Sequence, residues 1–122
     1  MFELCVQGSF AAAHRLRGYR GRCENLHGHN YRVEVAVAGE ELDRCGLLAD
    51  FSLLKEKLRR VLKRFDHVDL NRLAEFRRNN PSAENLARDI YRRMKKALAG
   101  LPVSVRRVSV WESENSYASY YE

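Results

Sequence analysis

Strict alternation along the first residues constrains the fold of this chain more than any other feature. The even-numbered positions are Phe2, Leu4, Val6, Gly8, Phe10, Ala12 and His14, and the odd ones are small or polar. A repeat of two residues indicates a β-strand with one buried face, here with a bend near Gly8. The same alternation from Tyr31 to Ala38 predicts a second strand, which we expect to pair with the first like a hairpin.

Two amphipathic helices are predicted after these strands. Asp50 can cap the first helix, and a hydroxyl residue, Ser82, begins the second. The apolar stripes consist of Phe51, Leu54, Leu58, Val61, Leu62 and Phe65 in the first helix, and of Ala83, Leu86, Ala87, Ile90, Met94, Ala97 and Leu98 in the second. Gly100 and Pro102 are expected to end the second helix.

Two further strands complete the pattern. One covers Val103–Trp111, with a change of phase at Arg106–Arg107 that indicates a β-bulge, and a short one covers Ser116–Tyr121. The order β-β-α-α-β-β predicts a single α+β domain over residues 1–122, in which two helices cover one face of a four-stranded antiparallel sheet. The other face and the edges stay uncovered, so we expect a homo-oligomer that closes the sheets into a barrel.

Composition limits the cellular compartment and the classes of binding partner that we expect. Three cysteines cannot form a complete disulfide framework, and no stretch is apolar enough to cross a membrane, so we expect a cytoplasmic protein without a membrane partner. The net charge of +6 leaves a nucleic-acid-binding module open as an alternative. The densest basic stretch of the chain without acidic residues contains Arg15, Arg17, Arg20 and Arg22.

The histidines indicate a metal site. His27 and His29 are two residues apart at the start of the second strand, so their side chains point the same way. A hairpin-like pairing would bring His14 beside them. Three imidazoles around one zinc ion leave a fourth position open, which is typical of catalytic sites. The alternatives are an exposed turn for His27-Gly28-His29 and a buried core role for His14.

Other reactive residues lie near these histidines in the sequence. A thiol at Cys23, close to a metal and to arginines, would have a lowered pKa and could act as a base or nucleophile. The Asp66-His67 pair could move protons, or could simply place charge at a helix C-terminus. Glu112 has two interpretations. It is either a partly buried carboxylate that accepts hydrogen bonds from nearby donors, or a surface acid on an edge strand.

Taken together, these residues resemble the 6-pyruvoyl-tetrahydropterin synthase family. The shared positions are Phe10, Ala12, Ala13 and His14; Cys23, His27, Gly28 and His29; Asp50 and Phe51; Asp66, His67, Leu70 and Asn71; Pro81, Ser82, Glu84 and Asn85; and Trp111, Glu112 and Ser113. The branch that is most similar makes 6-carboxy-5,6,7,8-tetrahydropterin for queuosine biosynthesis. The resemblance implies the tunnelling fold (T-fold), with trimeric barrels that pair into hexamers.

The resemblance also implies an activity and its residues. The expected enzyme is a zinc-dependent carbon–carbon lyase that converts 7,8-dihydroneopterin triphosphate into 6-carboxy-tetrahydropterin, acetaldehyde and triphosphate. The implied zinc ligands are His14, His27 and His29. Cys23 is the implied base, assisted by Asp66 and His67, and Glu112 anchors the pterin. No nucleic acid partner is implied.

Two features of this site stay open. Glu24, next to Cys23, resembles a glutamate of relatives that produce 6-hydroxymethyl-dihydropterin for folate, so this activity is the alternative, with Glu24 as a substrate-binding residue. The triphosphate could be held by the segment Arg15–Arg22, with Arg15 and Arg17 as candidates, or by a neighbouring subunit.

Overall fold

The computed structural model describes residues 1–122 and consists of a five-stranded sheet with two α-helices packed on one face. The strands are β1 (Phe2–His14), β2 (His27–Gly39), β3 (Val68–Asp69), β4 (Ser104–Trp111) and β5 (Tyr117–Tyr120), and the helices are α1 (Phe51–Leu62) and α2 (Ala83–Ala97). Their order in the sheet is β3-β1-β2-β4-β5. The predicted α+β class is confirmed, as is the sequence order of the four predicted strands and two helices.

The two-residue strand β3 is the one element missing from the predicted four-stranded antiparallel sheet. It runs parallel to β1, with Ala12 opposite Val68 and Ala13 opposite Asp69, so the sheet is mixed. Two residues are too few to produce a periodic pattern, which is why the sequence did not indicate this strand. It places the segment after α1 against the end of β1.

Strands β1 and β2 pair without interruption from Phe2 opposite Gly39 to His14 opposite His27. This pairing therefore has no bulge at Gly8. Gly8 instead allows α1 to approach the sheet closely, because a Cβ there would lie 2.9 Å from a methyl carbon of Leu62. The bulge predicted in the next strand is confirmed by the register shift of the β2–β4 pairing, which leaves Arg106 unpaired.

The core lies between the helices and one face of the sheet. Its largest fully buried side chains include Leu54 and Leu58 from α1, Ile90 and Met94 from α2, and Tyr31, Val33 and Val35 from β2. Both predicted caps are present, since the Asp50 carboxylate accepts from Ser52 N and the Ser82 hydroxyl from Asn85 N. Phe51, which the sequence assigned to the apolar stripe, is 50% exposed because it directly follows the cap. Neither helix is long and apolar enough to span a bilayer.

A partly buried ion-pair network joins the end of α1 to α2. The carboxylate of Glu75 accepts hydrogen bonds from Arg64, at 2.5 and 2.7 Å, and from Arg93, at 2.6 Å. The bonds from Arg64 lower the pKa of Glu75 from its ordinary value of 4.5 to about 2. Glu75 therefore favours the folded state wherever it is ionised.

This network predicts a pH-dependent loss of stability in Glu75→Gln. At pH 7 we expect the free energy of unfolding to fall by about 1–3 kcal/mol, because two arginines lose a charged partner. The pKa of Glu75 is lower in the folded state, so its contribution is complete above about pH 4.5 and disappears as the pH falls towards 2. Urea unfolding across this range should show the two proteins converging. Glu84→Gln, which removes an exposed carboxylate without a salt bridge, is the control and should change little at any pH.

Candidate metal centre

The paired ends of β1 and β2 bring three imidazoles together. His14 lies opposite His27 in the antiparallel register, and His29 is two residues further along β2 on the same face. The ring centroids are 4.6 Å apart for His14 and His27, 5.1 Å for His14 and His29, and 4.8 Å for His27 and His29. One nitrogen of each ring lies within 4.8 Å of the others, which makes the three residues a possible metal-binding group.

Hydrogen bonds orient two of these rings for metal binding. Nδ1 of His14 donates to the carbonyl of Pro81 at 2.6 Å, and Nδ1 of His27 donates to the carbonyl of Asn25 at 2.7 Å. Since a carbonyl can only accept, each ring carries its proton on Nδ1 and presents the lone pair of Nε2. The two Nε2 atoms face each other at 3.0 Å.

The third imidazole supplies an independent test of whether a metal fits. Nε2 of His29 is buried and has no hydrogen-bond partner. A buried nitrogen without a partner is costly, and a shared cation would satisfy it together with the two facing lone pairs. The residues present therefore fit a divalent metal held by three histidines.

Burial keeps the cluster in the form that binds metals. Desolvation lowers the pKa of both His14 and His29, which favours neutral imidazoles. The carboxylate of Glu112 acts in the opposite direction but more weakly, with its Oε1 3.9 Å from Nε2 of His14. Tyr31 forms the buried side of the cluster, where its unpartnered hydroxyl is desolvated and its pKa is strongly raised.

Cys23 and Glu24 lie on the loop that connects the two histidine-bearing strand ends. They form one turn of 3₁₀-helix with Arg22, and the loop is closed by a 2.7 Å hydrogen bond from Leu16 N to the Cys23 carbonyl. The thiol is partly exposed and makes no hydrogen bond. The loop that carries Cys23 thus joins the two strand ends that hold the metal cluster, and the thiol is not one of the cluster's members.

Asp66 and His67 form a pair on the outer edge of β1. The Asp66 carboxylate accepts from Ala11 N at 3.0 Å and from His67 Nδ1 at 2.9 Å, and the first of these bonds contributes most to the lowered pKa of Asp66. His67 adopts a left-handed backbone conformation with φ of 57° and is 81% exposed. Neither residue hydrogen-bonds to the Cys23 thiol within one chain, so the proton relay stays a prediction.

Glu112 follows β4, and its carboxylate faces the metal cluster. Its side chain is 34% exposed, so the carboxylate can be reached from outside. The neighbouring Trp111 is stacked between the Arg32 guanidinium, 4.1 Å from the ring centroid, and Tyr117, at 4.2 Å. Its buried Nε1 has no partner, a feature that the sequence did not reveal.

The two arginines proposed for substrate binding have different surroundings. The guanidinium of Arg17 donates to the carbonyls of Phe76, Arg77 and Asn79 and to the side chain of Asn80. These bonds use its donors to hold the loop, although Arg17 lines the same cavity as Arg15, so its role in substrate binding stays a prediction. Arg15 is exposed and lines a cavity of about 510 Å³ together with Glu24 and Arg72.

Comparison with known proteins identifies the family. The family described as 6-pyruvoyl tetrahydropterin synthase matches residues 3–122. The protein belongs to this family. Its fold is therefore the expected tunnelling fold. Membership of the family also shows that the protein is an enzyme of the pterin synthase type.

Individual relatives differ in the reaction that their names describe. The dihydroneopterin monophosphate aldolase of Pyrococcus furiosus is 39% identical, over 90% of this chain and 89% of its own length. The 6-carboxy-5,6,7,8-tetrahydropterin synthase of Bacillus subtilis is 37% identical, over 98% of this chain and 84% of its own. The structure of Caenorhabditis elegans 6-pyruvoyl tetrahydropterin synthase superposes with a TM-score of 0.88 at 27% identity, covering 99% and 95% of the two chains.

The geometry of the cluster predicts that His29→Ala abolishes metal binding. We expect about one zinc ion per wild-type chain and almost none in the variant, since two imidazoles cannot hold the ion in a three-ligand site. Equilibrium dialysis followed by elemental analysis measures this. His67→Ala, which removes an exposed imidazole outside the cluster, should keep the full metal content. Equal zinc content in His29→Ala and wild type would contradict the assignment.

Proposed function

We propose that the protein is a zinc-dependent 6-carboxy-5,6,7,8-tetrahydropterin synthase of queuosine biosynthesis. Its substrate would be 7,8-dihydroneopterin triphosphate, and its products 6-carboxy-tetrahydropterin, acetaldehyde and triphosphate. The observation that carries this proposal is the convergence of three imidazoles beside an accessible carboxylate, Glu112. The 37% identity to the Bacillus subtilis enzyme of that name supports the choice of product. The three free cysteines favour a reducing compartment such as the cytoplasm.

The three histidines would hold the metal, and the rest of the site would bind and deprotonate the substrate. A zinc ion with an open position supplies Lewis acidity to a substrate oxygen. Glu112 can accept two hydrogen bonds from the amino and ring N–H groups of a pterin, which would orient the ring. Cys23, on the adjoining loop, would remove a proton from the side chain of the substrate.

The second proton-transfer group is proposed to come from another copy of the chain. Asp66 and His67 form a hydrogen-bonded pair but lie on an exposed edge without a hydrogen bond to Cys23. The sheet also has open edges at β3 and β5. Association of sheet edges into a barrel, and of barrels into a hexamer, would bring this pair to the Cys23 loop of a neighbouring subunit.

An aldol cleavage that yields 6-hydroxymethyl-dihydropterin is the second candidate function. Glu24 is adjacent to Cys23 on the same 3₁₀ turn and lines the cavity that also contains Arg15. A carboxylate in this position could accept the hydroxyl proton of the side chain when its carbon–carbon bond is cleaved. The 39% identity to the Pyrococcus furiosus aldolase also favours an aldol cleavage.

Product analysis decides between the two functions. The zinc-loaded protein would be incubated separately with dihydroneopterin triphosphate and with dihydroneopterin monophosphate, and the pterins and aldehydes separated by chromatography. We expect 6-carboxy-tetrahydropterin and acetaldehyde from the triphosphate. Formation of 6-hydroxymethyl-dihydropterin as the main product would overturn this proposal in favour of the aldolase.

Cys23→Ala provides a test of the proposed base. We expect turnover to fall by about 10²–10⁴-fold, since a positioned general base is lost, while the zinc content is unchanged. Cys45→Ala is the control and should behave as wild type. It removes an exposed thiol in the turn after β2, at the opposite end of this strand from His27. Full activity of Cys23→Ala would show that another group removes the proton.

Glu24→Gln separates the two candidate reactions within one protein. If the carboxylate acts only in aldol cleavage, the substitution should suppress any 6-hydroxymethyl-dihydropterin and leave the rate of acetaldehyde formation within about threefold of wild type. Product ratios from the same incubations give the answer. A parallel loss of both products would instead place Glu24 in substrate binding.

A further inference from the structure

The positive charge of the protein is concentrated in its helical layer. Residues 51–64 and 83–97 contain eleven of the 22 lysines and arginines but only three of the 16 aspartates and glutamates. The rest of the chain, including the strands and the metal cluster, therefore has more acids than bases. The net charge of +6 is a property of one face, the face of the helices turned away from the sheet.

An open groove of about 690 Å³ runs between α1 and α2 on this face. Six cationic side chains line it, namely Lys57, Arg60 and Arg64 from α1 and the turn after it, and Arg92, Arg93 and Lys96 from α2. Asp89 is the single acid in the lining. The groove is formed by the outer surfaces of the helices, whereas the metal cluster lies at the strand ends.

The six cations divide into two groups by their partners. Arg60, Arg64 and Arg93 pair with carboxylates of the chain itself. The other three, Lys57, Arg92 and Lys96, make no salt bridge, although they share one groove. Like charges held close together repel each other, and a bound polyanion would relieve this repulsion.

The chemistry of the lining indicates which polyanion fits. All donors that face the groove are at the ends of long, flexible side chains, so they suit charges distributed along a chain better than one enclosed phosphate. No aromatic residue lines the groove, so bases have no stacking platform there. The remaining contacts are electrostatic contacts to backbone phosphates, which do not depend on sequence.

We propose that the groove between α1 and α2 binds the phosphodiester backbone of a nucleic acid without sequence preference. This surface differs from the segment Arg15–Arg22 that the sequence suggested for such a role, where Arg17 is fully engaged by the protein. The proposal does not depend on the pterin chemistry, because no groove residue belongs to the proposed active site.

The salt dependence of binding to a 20-base-pair DNA duplex tests this proposal. Fluorescence anisotropy with the full-length, zinc-loaded protein would compare wild type with Lys57→Gln/Arg92→Gln/Lys96→Gln. Each lost phosphate contact lowers the slope of log K against log salt by about 0.9, so the triple variant should lose about 2–3 units of slope. At 50 mM salt we expect its affinity to fall by at least about tenfold.

A matched variant separates the groove from the overall charge. Arg44→Gln/Lys55→Gln/Arg78→Gln also removes three exposed cations without salt bridges, but none of them lines the groove. It should keep nearly the wild-type slope. Equal loss of slope in both triple variants would overturn the proposal. A urea unfolding midpoint equal to that of the wild type shows that the groove variant is folded. Because this control does not use pterin turnover, a failure of this proposal is distinct from a failure of the proposed enzyme.

Two further ligands identify the source of the phosphates. Inorganic triphosphate that competes with the duplex at equal phosphate concentration would indicate a small-anion site and overturn the polymer assignment. Binding to phosphatidylserine vesicles with no affinity for the duplex would overturn it in favour of a membrane surface. Competition by duplexes of unrelated sequence with the same efficiency would support sequence-independent binding of the backbone.

Discussion

The antiparallel register between β1 and β2 is the constraint on which the rest of the structure depends. It runs from Phe2 opposite Gly39 to His14 opposite His27 without interruption. Because side chains alternate between the two faces of a strand, a slip by one residue would turn His14 away from the other imidazoles and expose the apolar face of β1. The same pairing thus aligns the hydrophobic core and assembles the metal cluster.

Contacts from outside the strands complete the orientation of the cluster. The carbonyl of Pro81, just before the α2 cap, fixes the ring of His14, and the carbonyl of Asn25 fixes that of His27. Asn80 and Asn71 bind the backbone on either side of Leu16, and so anchor the start of the Cys23 loop to distant parts of the chain. The precise placement of the site therefore depends on segments far from the histidines in sequence.

The charge distribution gives the molecule two chemically different surfaces. The strand ends carry three converging histidines and the carboxylate of Glu112, and the loop between them carries a thiol, a combination that suits a metal and a small polar substrate. The helical face carries most of the excess positive charge, and half of the groove cations have no acidic partner. The positive net charge is therefore not a property of the proposed active site, since the basic face and the metal cluster occupy different parts of the fold.

The sequence by itself determined the α+β class, the strands β1, β2, β4 and β5, both helix caps, the bulge near Arg106 and the histidines that converge. These features depend on local periodicity and on residue types at short spacing, which can be read along a chain. Only the tertiary structure decided that β3 adds a parallel strand, that Arg17 is engaged by carbonyls, and that Asp66 binds the backbone of β1. Each of these depends on contacts between residues distant in sequence. Such contacts have no period, and they are set by how the helices and loops pack on the sheet.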